Sequence, residues 1–324
     1  MTPNKQREIG QYYTDVNPFN NPAFREWHGY TNVLSNFIIE PFAGDNSLVN
    51  HLKDIYQNIT VDSYDIDPQA EGIVKKDSLK EFPAGYKVCV TNPPWLAKNS
   101  AKKRNFRFPK CAYDDLYKFC LSKCLQNCMY VAALVPESFI TSNLFLDRLQ
   151  YFVSINKPIF NTTTHPVGLA LFGPELILYS EDAKPQDCLV YRDDEYIGPL
   201  KELKQRAMFD ISEKLVKQIK FNDPNGSIGL IALDNTVGPS IRFCEVGELK
   251  NYKIEESSRA ITKISVPFEV NIDDINERLN DFREFTHDLT LTAFRGLRKD
   301  GKYRRRLDWR TAARIIIATH TNRV

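Results

Sequence analysis

The sequence predicts an α/β fold in which a mostly parallel sheet precedes a second, mixed domain. Through the first half of the 324-residue chain, short apolar runs alternate with segments of helical spacing. Strands separated by helices in this way form parallel sheets that are covered on both faces. The alternation stops near residue 185, which predicts one domain over residues 1–185 and another over residues 186–324.

Each strand of the first domain is predicted where an apolar run meets turn residues. The strand at residues 86–91 ends sharply, because the prolines at 93 and 94 cannot donate hydrogen bonds to a ladder. The predicted strands cover residues 36–40, 60–65, 86–91, 130–135 and 167–172, the last of them in a hairpin with residues 176–179.

Apolar residues at helical spacing predict the helices between these strands. Asn46 or Ser47 is a suitable cap for the first of them. The predicted helices cover residues 47–56, 113–127 and 139–149 in the first domain, and residues 200–220 and 307–317 in the second.

The composition, with 42% hydrophobic and 26% charged residues, is typical of a folded, soluble protein. A formal net charge of +2 gives no overall indication of a nucleic-acid partner, which must therefore be inferred from local clusters. No apolar run reaches the roughly 18 residues that indicate a transmembrane helix, and we find no secretory signal pattern. We therefore expect no membrane association and a cytoplasmic location.

The seven cysteines include three, Cys120, Cys124 and Cys128, that would share one helix face. A zinc site is one interpretation, but no CxxC pair or nearby histidine supports it. The pattern favours buried free thiols, and we predict no metal site.

The tetrapeptide Asn92-Pro93-Pro94-Trp95 follows a predicted strand. Ligands of open α/β sheets bind beyond the carboxyl ends of the strands. The stiff prolines would hold the Asn92 amide oxygen and the Pro93 carbonyl as two acceptors, which suit the two hydrogens of an exocyclic amino group. Trp95 offers a flat face on which a base can stack. The alternative interpretation is a Pro-Pro turn with a partly buried tryptophan.

Acidic residues follow two other predicted strands. Residues 40–45 (EPFAGD) form a turn at which a ligand can approach the backbone, ahead of a helix N-terminus that attracts negative groups. Asp65 lies where an acid can accept ribose hydroxyls, whereas Asp67 has the alternative role of a helix cap. Asp77 could accept a hydrogen bond from an adenine amino group, or could be an ordinary loop acid.

Together these segments resemble the amino-group DNA methyltransferases. Residues 10–14 (GQYYT) resemble the cofactor motif that this family carries ahead of its EPFAG segment. The cofactor motif precedes the tetrapeptide, and the stretch between Glu40 and Asn92 is too short for a recognition domain. This order is similar to that of the gamma class, whose members methylate adenine. The resemblance covers about residues 8–182.

The resemblance implies a seven-stranded, Rossmann-like sheet and S-adenosyl-L-methionine as cofactor. Its amino-acid part is expected near Glu40 and Gly44, its ribose at Asp65 and its adenine at Asp77. The full set of implied cofactor contacts is Tyr13, Thr14, Glu40, Pro41, Gly44, Asp65, Ile66, Asp77, Ser78 and Asn92. The implied catalytic residues, around the N6 amino group of a flipped adenine, are Asn92, Pro93, Pro94 and Trp95.

The resemblance also extends to a late segment and to partners. Residues 164–172 (THPVGLALF) resemble the motif that lines the target-base pocket in the family, with Phe172 as a candidate stacking residue. The implied partners are double-stranded DNA and, as the other half of a restriction-modification system, a cognate restriction endonuclease. An RNA or protein-glutamine methyltransferase of the same fold remains an alternative, as does a non-catalytic cofactor-binding protein that recognises DNA.

Two basic clusters are the predicted DNA contacts. The first follows the tetrapeptide and is expected to hold phosphates beside the flipped base: Lys98, Lys102, Lys103, Arg104 and Arg107. Arginine suits bidentate contacts with guanine or phosphate, so the second cluster is expected to include base contacts: Arg298, Lys302, Arg304, Arg305, Arg306 and Arg310. For either cluster, the alternative is a solvated basic surface.

Overall fold

A mixed sheet organises the amino-terminal part of the chain. The computed structural model describes residues 12–161, 163–174, 187–207, 209, 211, 213–252 and 258–321. Nine strands in these residues form one sheet, in the order β3-β2-β1-β4-β5-β7-β6-β8-β9. They are β1 (Ile38–Glu40), β2 (Val61–Asp65), β3 (Ile73–Lys75), β4 (Val88–Thr91), β5 (Tyr130–Pro136), β6 (Leu149–Ile155), β7 (Val167–Phe172), β8 (Leu189–Arg192) and β9 (Glu195–Pro199).

Most neighbouring strands of this sheet are parallel. β1 lies between β2 and β4 and is parallel to both, and β4 is parallel to β5. β7 runs against both of its neighbours, because it pairs antiparallel with β5 on one side and with β6 on the other. The predicted α/β class with a mostly parallel sheet is therefore confirmed.

Two strands extend the sheet beyond the seven that the resemblance implies. β8 pairs in parallel with β6, and β9 follows it at the edge. The sheet thus continues past residue 185, and the chain divides into two compact units, Met1–Ile197 and Gly198–Val324. Both edges of β7 are occupied, by β5 and by β6, whereas the sequence predicts a hairpin between this strand and residues 176–179. Residues 176–179 lie outside the described residues.

Eight α-helices lie in the described residues, and two predicted helices differ from them. The stretch at 139–149 is instead a short 3-10 helix, Glu137–Thr141, followed by a loop in which Asn143 and Phe145 have positive φ. The stretch at 200–220 contains two helices, and Phe209 between them has a φ of 28°, which no right-handed helix allows. The helices are α1 (Pro22–Thr31), α2 (Ser47–Ile55), α3 (Lys98–Lys103), α4 (Leu116–Asn127), α5 (Leu200–Ala207), α6 (Glu213–Val216), α7 (Ile272–Thr286) and α8 (Trp309–Thr321).

Side chains of the parallel strands alternate between two covered faces. Val88 and Val90 of β4 belong to the buried cluster that includes Leu52 of α2, whereas Cys89 between them neighbours Cys124 of α4. All seven cysteines are free thiols, and those of α4 are buried. Burial raises the pKa of the Cys89 thiol, which keeps it protonated and unreactive.

The second unit contains an antiparallel sheet and a separate hairpin. The sheet has the order β10-β13-β11-β12, and the hairpin pairs β14 with β15. The apolar core of the second unit includes Leu230, Phe243, Leu279 and Ile316, all of them buried. The strands are β10 (Lys220–Phe221), β11 (Ile228–Ile231), β12 (Arg242–Glu245), β13 (Ile261–Ser265), β14 (Thr292–Leu297) and β15 (Tyr303–Arg306).

The fully buried carboxylate of Asp234 connects the parts of this second unit. Its two oxygens accept hydrogen bonds from both Arg283 guanidinium nitrogens at 3.2 Å, and Oδ2 accepts one from Arg298 at 3.0 Å. Backbone N–H groups of Ser240 and Arg305 also donate to it, at 2.8 and 3.1 Å. Burial alone would raise the pKa of Asp234, but the hydrogen bonds from Arg283 and the backbone lower it overall. The carboxylate is therefore charged and joins helix α7 to the hairpin.

We expect Asp234→Ala to destabilise the folded chain by about 3–5 kcal/mol, because it leaves two buried guanidinium groups without their shared carboxylate. Urea unfolding of the full chain, followed by circular dichroism, measures this loss. Asp281→Ala is the matched control, since Asp281 is exposed on α7 and its replacement should change stability by less than about 0.5 kcal/mol. Equal midpoints for the two variants would contradict the role given to Asp234.

Candidate active site

A pocket opens where the parallel strands β1, β2 and β4 end at their carboxyl termini. Its empty volume, which includes space open to solvent, is about 860 Å³. Every residue predicted to contact the cofactor lines it: Tyr13, Thr14, Glu40, Pro41, Gly44, Asp65, Ile66, Asp77, Ser78 and Asn92. The sequence motifs, which are far apart along the chain, therefore meet in one cavity.

Glu40, the last residue of β1, is buried in the pocket wall. Its Oε1 accepts hydrogen bonds from the Thr91 hydroxyl at 2.7 Å and from the Phe42 N–H at 3.0 Å. Its Oε2 is buried and has no hydrogen-bond partner among the described residues. Burial raises the pKa of Glu40 to about 8, against the lowering effect of these hydrogen bonds. The carboxyl group thus has one oxygen that could hydrogen-bond to a ligand.

Gly44 and Asp65 shape the next part of the wall. Gly44 has a φ of 56°, and a Cβ there would lie 2.8 Å from Cε1 of the Tyr13 ring, so only glycine fits. The Asp65 carboxylate accepts the Gly44 N–H at 2.9 Å and the Asp67 N–H at 2.7 Å, which fixes its orientation. Asp67 is exposed and does not line the pocket, and no helix follows it before β3. The geometry therefore favours Asp65 over Asp67 as the ligand-binding acid.

Further polar groups line the opposite side of the pocket. Asp77 accepts N–H groups of Leu79 and Lys80 at 3.2 and 3.3 Å, so its carboxylate is held by the turn that it begins. The hydroxyl oxygens of Ser78 and Thr14 are buried without a hydrogen-bond partner in the described part of the chain. Together with Glu40 Oε2, they leave three buried polar atoms to be satisfied by a ligand.

Backbone groups of the segment that carries Tyr13 and Thr14 contact helix α2 and the loop that follows β6. His51 Nε2 lies 2.9 Å from the Thr14 carbonyl, and the Asp15 N–H donates to the Ile159 carbonyl at 2.8 Å. Residues 10 and 11 of the predicted motif lie outside the described residues. The described part of the motif contacts the pocket as predicted.

Asn92 is oriented by the backbone of this same segment. Its Nδ2 donates to the Tyr12 carbonyl at 2.6 Å, and since a carbonyl can only accept, the amide nitrogen is committed to this contact. The side chain therefore presents its oxygen, an acceptor, elsewhere. Pro93 is buried and Pro94 lines the pocket, so the tetrapeptide is held rigidly at the end of β4.

Trp95 lies outside the pocket lining, in an aromatic group beside it. Its ring centroid is 5.7 Å from that of Tyr12 and 5.4 Å from that of Phe160, and Tyr12 also contacts His165 at 6.2 Å. The indole Nε1 is buried with no partner among the described residues. Phe160 and His165 were missed as site residues, although His165 stands at the start of the late motif.

Phe172, the candidate stacking residue, is not at the site. It is fully buried in β7, where its ring contacts Phe139 at a centroid distance of 6.1 Å and its carbonyl accepts from Trp27 Nε1. The prediction is wrong because the end of β7 that bears Phe172 lies deep in the core. The half-buried His165, just before the other end of β7, is near the tetrapeptide instead.

The first basic cluster lies on the surface, as a DNA contact requires. It begins at Lys98, the first residue of the short helix α3. Its predicted members are all exposed: Lys98, Lys102, Lys103, Arg104 and Arg107. Acidic residues are absent between residues 96 and 111, so this stretch of the chain carries only positive charges.

The second basic cluster is largely part of the folded structure. Arg298 and Arg305 are buried, at 6% and 3% exposure, and Arg298 pairs with both Asp234 and Asp300. Arg304 donates to the Asp234 carbonyl at 2.7 Å. The sequence predicts DNA contacts for this cluster without assigning base contacts to particular arginines, and the structure engages these three within the fold.

The remaining predicted members of this cluster are more accessible. Lys302 is exposed and Arg306 is half-buried, whereas Arg310 forms a 2.7 Å ion pair with Glu213. Among the residues that the structure describes, no three His, Cys, Asp or Glu side chains are arranged to hold a metal ion. Within those residues, no helix is both long and apolar enough to cross a membrane.

No protein-family model matches this sequence, and no curated protein matches it. Solved structures match at low similarity. The methyltransferase subunit of a type I restriction-modification system from Streptococcus thermophilus has 12% identity and a TM-score of 0.36, over 57% of this chain and 48% of that one. The M protein of the type I restriction enzyme EcoKI has 11% identity and a TM-score of 0.36, over 49% and 44%.

A third match is the type IIG restriction endonuclease BpuSI, with 15% identity and a TM-score of 0.35, over 67% of this chain and 29% of that one. This chain therefore spans less than half the length of each of the three proteins. All three are distant in sequence.

The raised pKa of Glu40 predicts a specific pH dependence of stability. The pKa of Glu40 is 4.5 in the unfolded chain and about 8 in the folded one. Protonated Glu40 therefore contributes its full share to folding stability below pH 4.5, and this contribution is lost as the pH rises through about 8. Glu40→Gln mimics the protonated carboxyl group. We therefore expect the variant to gain stability over the wild-type chain between these pH values, on the order of a few kcal/mol.

Chemical unfolding of the ligand-free chain at pH values spanning this window measures the difference. Glu71→Gln is the control, because Glu71 is exposed and its replacement should leave the pH profile unchanged. Parallel profiles for the wild-type chain and Glu40→Gln would show that Glu40 is ionised throughout, which contradicts the assignment.

Proposed function

We propose that this protein is an S-adenosylmethionine-dependent DNA methyltransferase that methylates the N6 amino group of adenine. The observation that carries the proposal is the orientation of Asn92. Its amide nitrogen is committed to the Tyr12 carbonyl, so that its oxygen is the acceptor available in the wall of the pocket. An acceptor fixed there suits a ligand amino group, and the pocket beside it suits a methyl donor.

The pocket residues fit S-adenosylmethionine by their chemistry. The free Oε2 of Glu40 suits a cationic amino group, and the Thr14 hydroxyl supplies a further polar contact beside it. Asp65, fixed by two backbone amides, has remaining lone pairs for the ribose hydroxyls. Asp77 and Ser78 would meet the adenine amino group, and Ile66, which is 58% exposed, would pack on the adenine ring.

The protein contributes positioning and polarisation rather than strong base catalysis. The sulfonium group of the bound cofactor supplies the activated methyl group. In the proposed mechanism, the Asn92 oxygen and the Pro93 carbonyl accept the two hydrogens of the target amino group. This favours a pyramidal nitrogen, with its lone pair directed into the pocket. Pro93 and Pro94 hold these acceptors rigidly, so little reorganisation is needed.

The aromatic residues beside the pocket suit a flipped base. Trp95 and Tyr12 provide flat apolar surface next to Asn92, and His165 contacts Tyr12 from the start of β7. Rotating a base out of the duplex costs a few kcal/mol, which stacking and phosphate contacts offset. We assign the stacking role to Trp95, with His165 replacing Phe172 as its candidate partner.

The exposed basic surface on and after α3 supports double-stranded DNA as the substrate. It follows the tetrapeptide directly, which would bring its lysines to phosphates near the flipped base. The second unit would supply target recognition, and a cognate restriction endonuclease would be the functional partner. RNA or a protein glutamine is the alternative substrate, and a non-catalytic DNA-recognition role is the alternative from another class.

We expect Asn92→Ala to slow methyl transfer to DNA by about 100-fold or more, because it removes an acceptor needed at the reacting nitrogen. Cofactor affinity, measured by calorimetry, should change little, since Glu40 and Asp65 remain. Labelled methyl transfer at saturating cofactor measures the rate.

Asn127→Ala is the matched control, because Asn127 is exposed at the end of α4 and away from the pocket lining. Loss of cofactor binding in a folded Asn92→Ala variant would assign Asn92 to the cofactor instead. An unchanged rate would overturn the mechanism.

A further inference from the structure

Two surface loops of the second unit are fastened to each other and to the buried Asp234 carboxylate. The first, residues 235–239, follows Asp234, and the second, residues 299–302, is the turn of the β14–β15 hairpin. The geometry points to these two loops, which we call the reading tip, as the element that reads the DNA sequence. This inference rests on the proposed function and names the residues that would determine its specificity.

The first loop is held in one conformation by its own polar groups. Oδ1 of Asn235 accepts the N–H groups of Val237 and Gly238 at 2.7 and 3.0 Å. The Asn235 N–H donates to the Ser240 hydroxyl at 2.7 Å, and the Ser240 N–H donates to Asp234 at 2.8 Å. The backbone that carries Thr236 and Val237 is therefore fixed from both ends.

The second loop is joined to the first by a backbone contact and by the arginines below it. The Lys299 N–H donates to the Thr236 carbonyl at 2.9 Å. Arg298, which is buried, pairs with Asp234 at 3.0 Å, and Arg304 donates to the Asp234 carbonyl at 2.7 Å. Arg298 and Arg304, which belong to the cluster predicted to contact DNA, thus hold the reading tip in place.

The side chains that the reading tip exposes suit duplex DNA. Val237 is 62% exposed, although its backbone is rigid, so the fold presents an apolar group to solvent at a defined position. Apolar side chains recognise the thymine methyl group in the major groove, and a threonine hydroxyl such as that of Thr236 can contact either donors or acceptors there. A rigid loop also loses little conformational entropy when it binds.

The charges around Val237 favour DNA over a protein partner. Lys299 and Lys302 are exposed, and the carboxylate of Asp300 between them pairs with Arg298 at 2.8 Å. The loop thus presents two exposed lysines beside an apolar group and a hydroxyl group. Lysines at this spacing suit phosphates that flank a groove, whereas Asn235 is committed within the loop and is not a base-reading residue.

The test maps methylated bases in amplified, unmethylated genomic DNA after incubation with the full chain and cofactor. We expect the wild-type chain to methylate one sequence. Thr236→Ala/Val237→Ala should still methylate DNA but accept other bases in at least one position, with roughly a tenfold loss of discrimination. Lys299→Ala/Lys302→Ala should keep the sequence, weaken binding to all DNA and flatten the slope of log affinity against log salt by up to about 0.9 per lysine.

Two control variants separate the reading tip from other surfaces. Lys250→Ala removes an exposed lysine elsewhere in the second unit, and Val74→Ala shortens another exposed valine, which is 55% exposed. Both should keep the wild-type site and salt dependence. All replaced residues are exposed, so unchanged thermal unfolding is expected, and Val237→Ser provides a second variant if the double variant is unstable.

The outcomes distinguish the inference from the proposed function. A wild-type chain that methylates no DNA sequence overturns the proposed function, and the inference fails with it. A wild-type chain with a defined site, which Thr236→Ala/Val237→Ala and Val237→Ser both keep with undiminished discrimination, overturns the reading tip alone. Relaxation of the site in the tip variants but not in the controls supports it.

Discussion

The buried carboxyl group of Glu40 is the constraint on which the site depends. One of its oxygens joins the end of β1 to the end of β4 through the Thr91 hydroxyl, and it also holds the Phe42 N–H of the turn. Neighbouring parallel strands end at the same edge of the sheet, so this junction brings the Gly44 turn and Asn92 to opposite sides of one pocket. The remaining oxygen has no hydrogen-bond partner among the described residues, and the proposed cofactor would satisfy this costly buried group.

A similar arrangement serves two purposes in the second unit. The buried Asp234 satisfies Arg283 and Arg298 and also fixes the loop that exposes Val237. In both units, a single buried acidic side chain determines the position of groups that remain accessible. Polar residues that stabilise the fold therefore also orient the surfaces that we assign to ligands, although the two units differ completely in topology.

Sequence patterns predicted the parts of the molecule that local rules determine. Strands β1, β2 and β4 each end at a turn, and Glu40, Asp65 and Asn92 at these ends line one pocket because strand ends of a parallel sheet converge. The sequence did not show that arginines of the second cluster pair within the fold, because their partners are far away along the chain. Arg298, for example, binds Asp234, which lies 64 residues earlier. The prediction for Phe172 was wrong because the two ends of β7 differ in how deeply they are buried, and a resemblance to a sequence motif does not show this difference. The role of Tyr12 as the hydrogen-bond acceptor of Asn92 likewise had no sequence signal.

Identification of the modified nucleoside tests the proposed adenine methylation most directly. Duplex DNA is incubated with the full chain and S-adenosylmethionine, digested to nucleosides and analysed by mass spectrometry, with RNA and protein substrates in parallel. We expect N6-methyldeoxyadenosine from DNA and no methylation of RNA or protein. A methylated cytosine as the product, or transfer to RNA or a protein glutamine instead of DNA, would contradict the proposal.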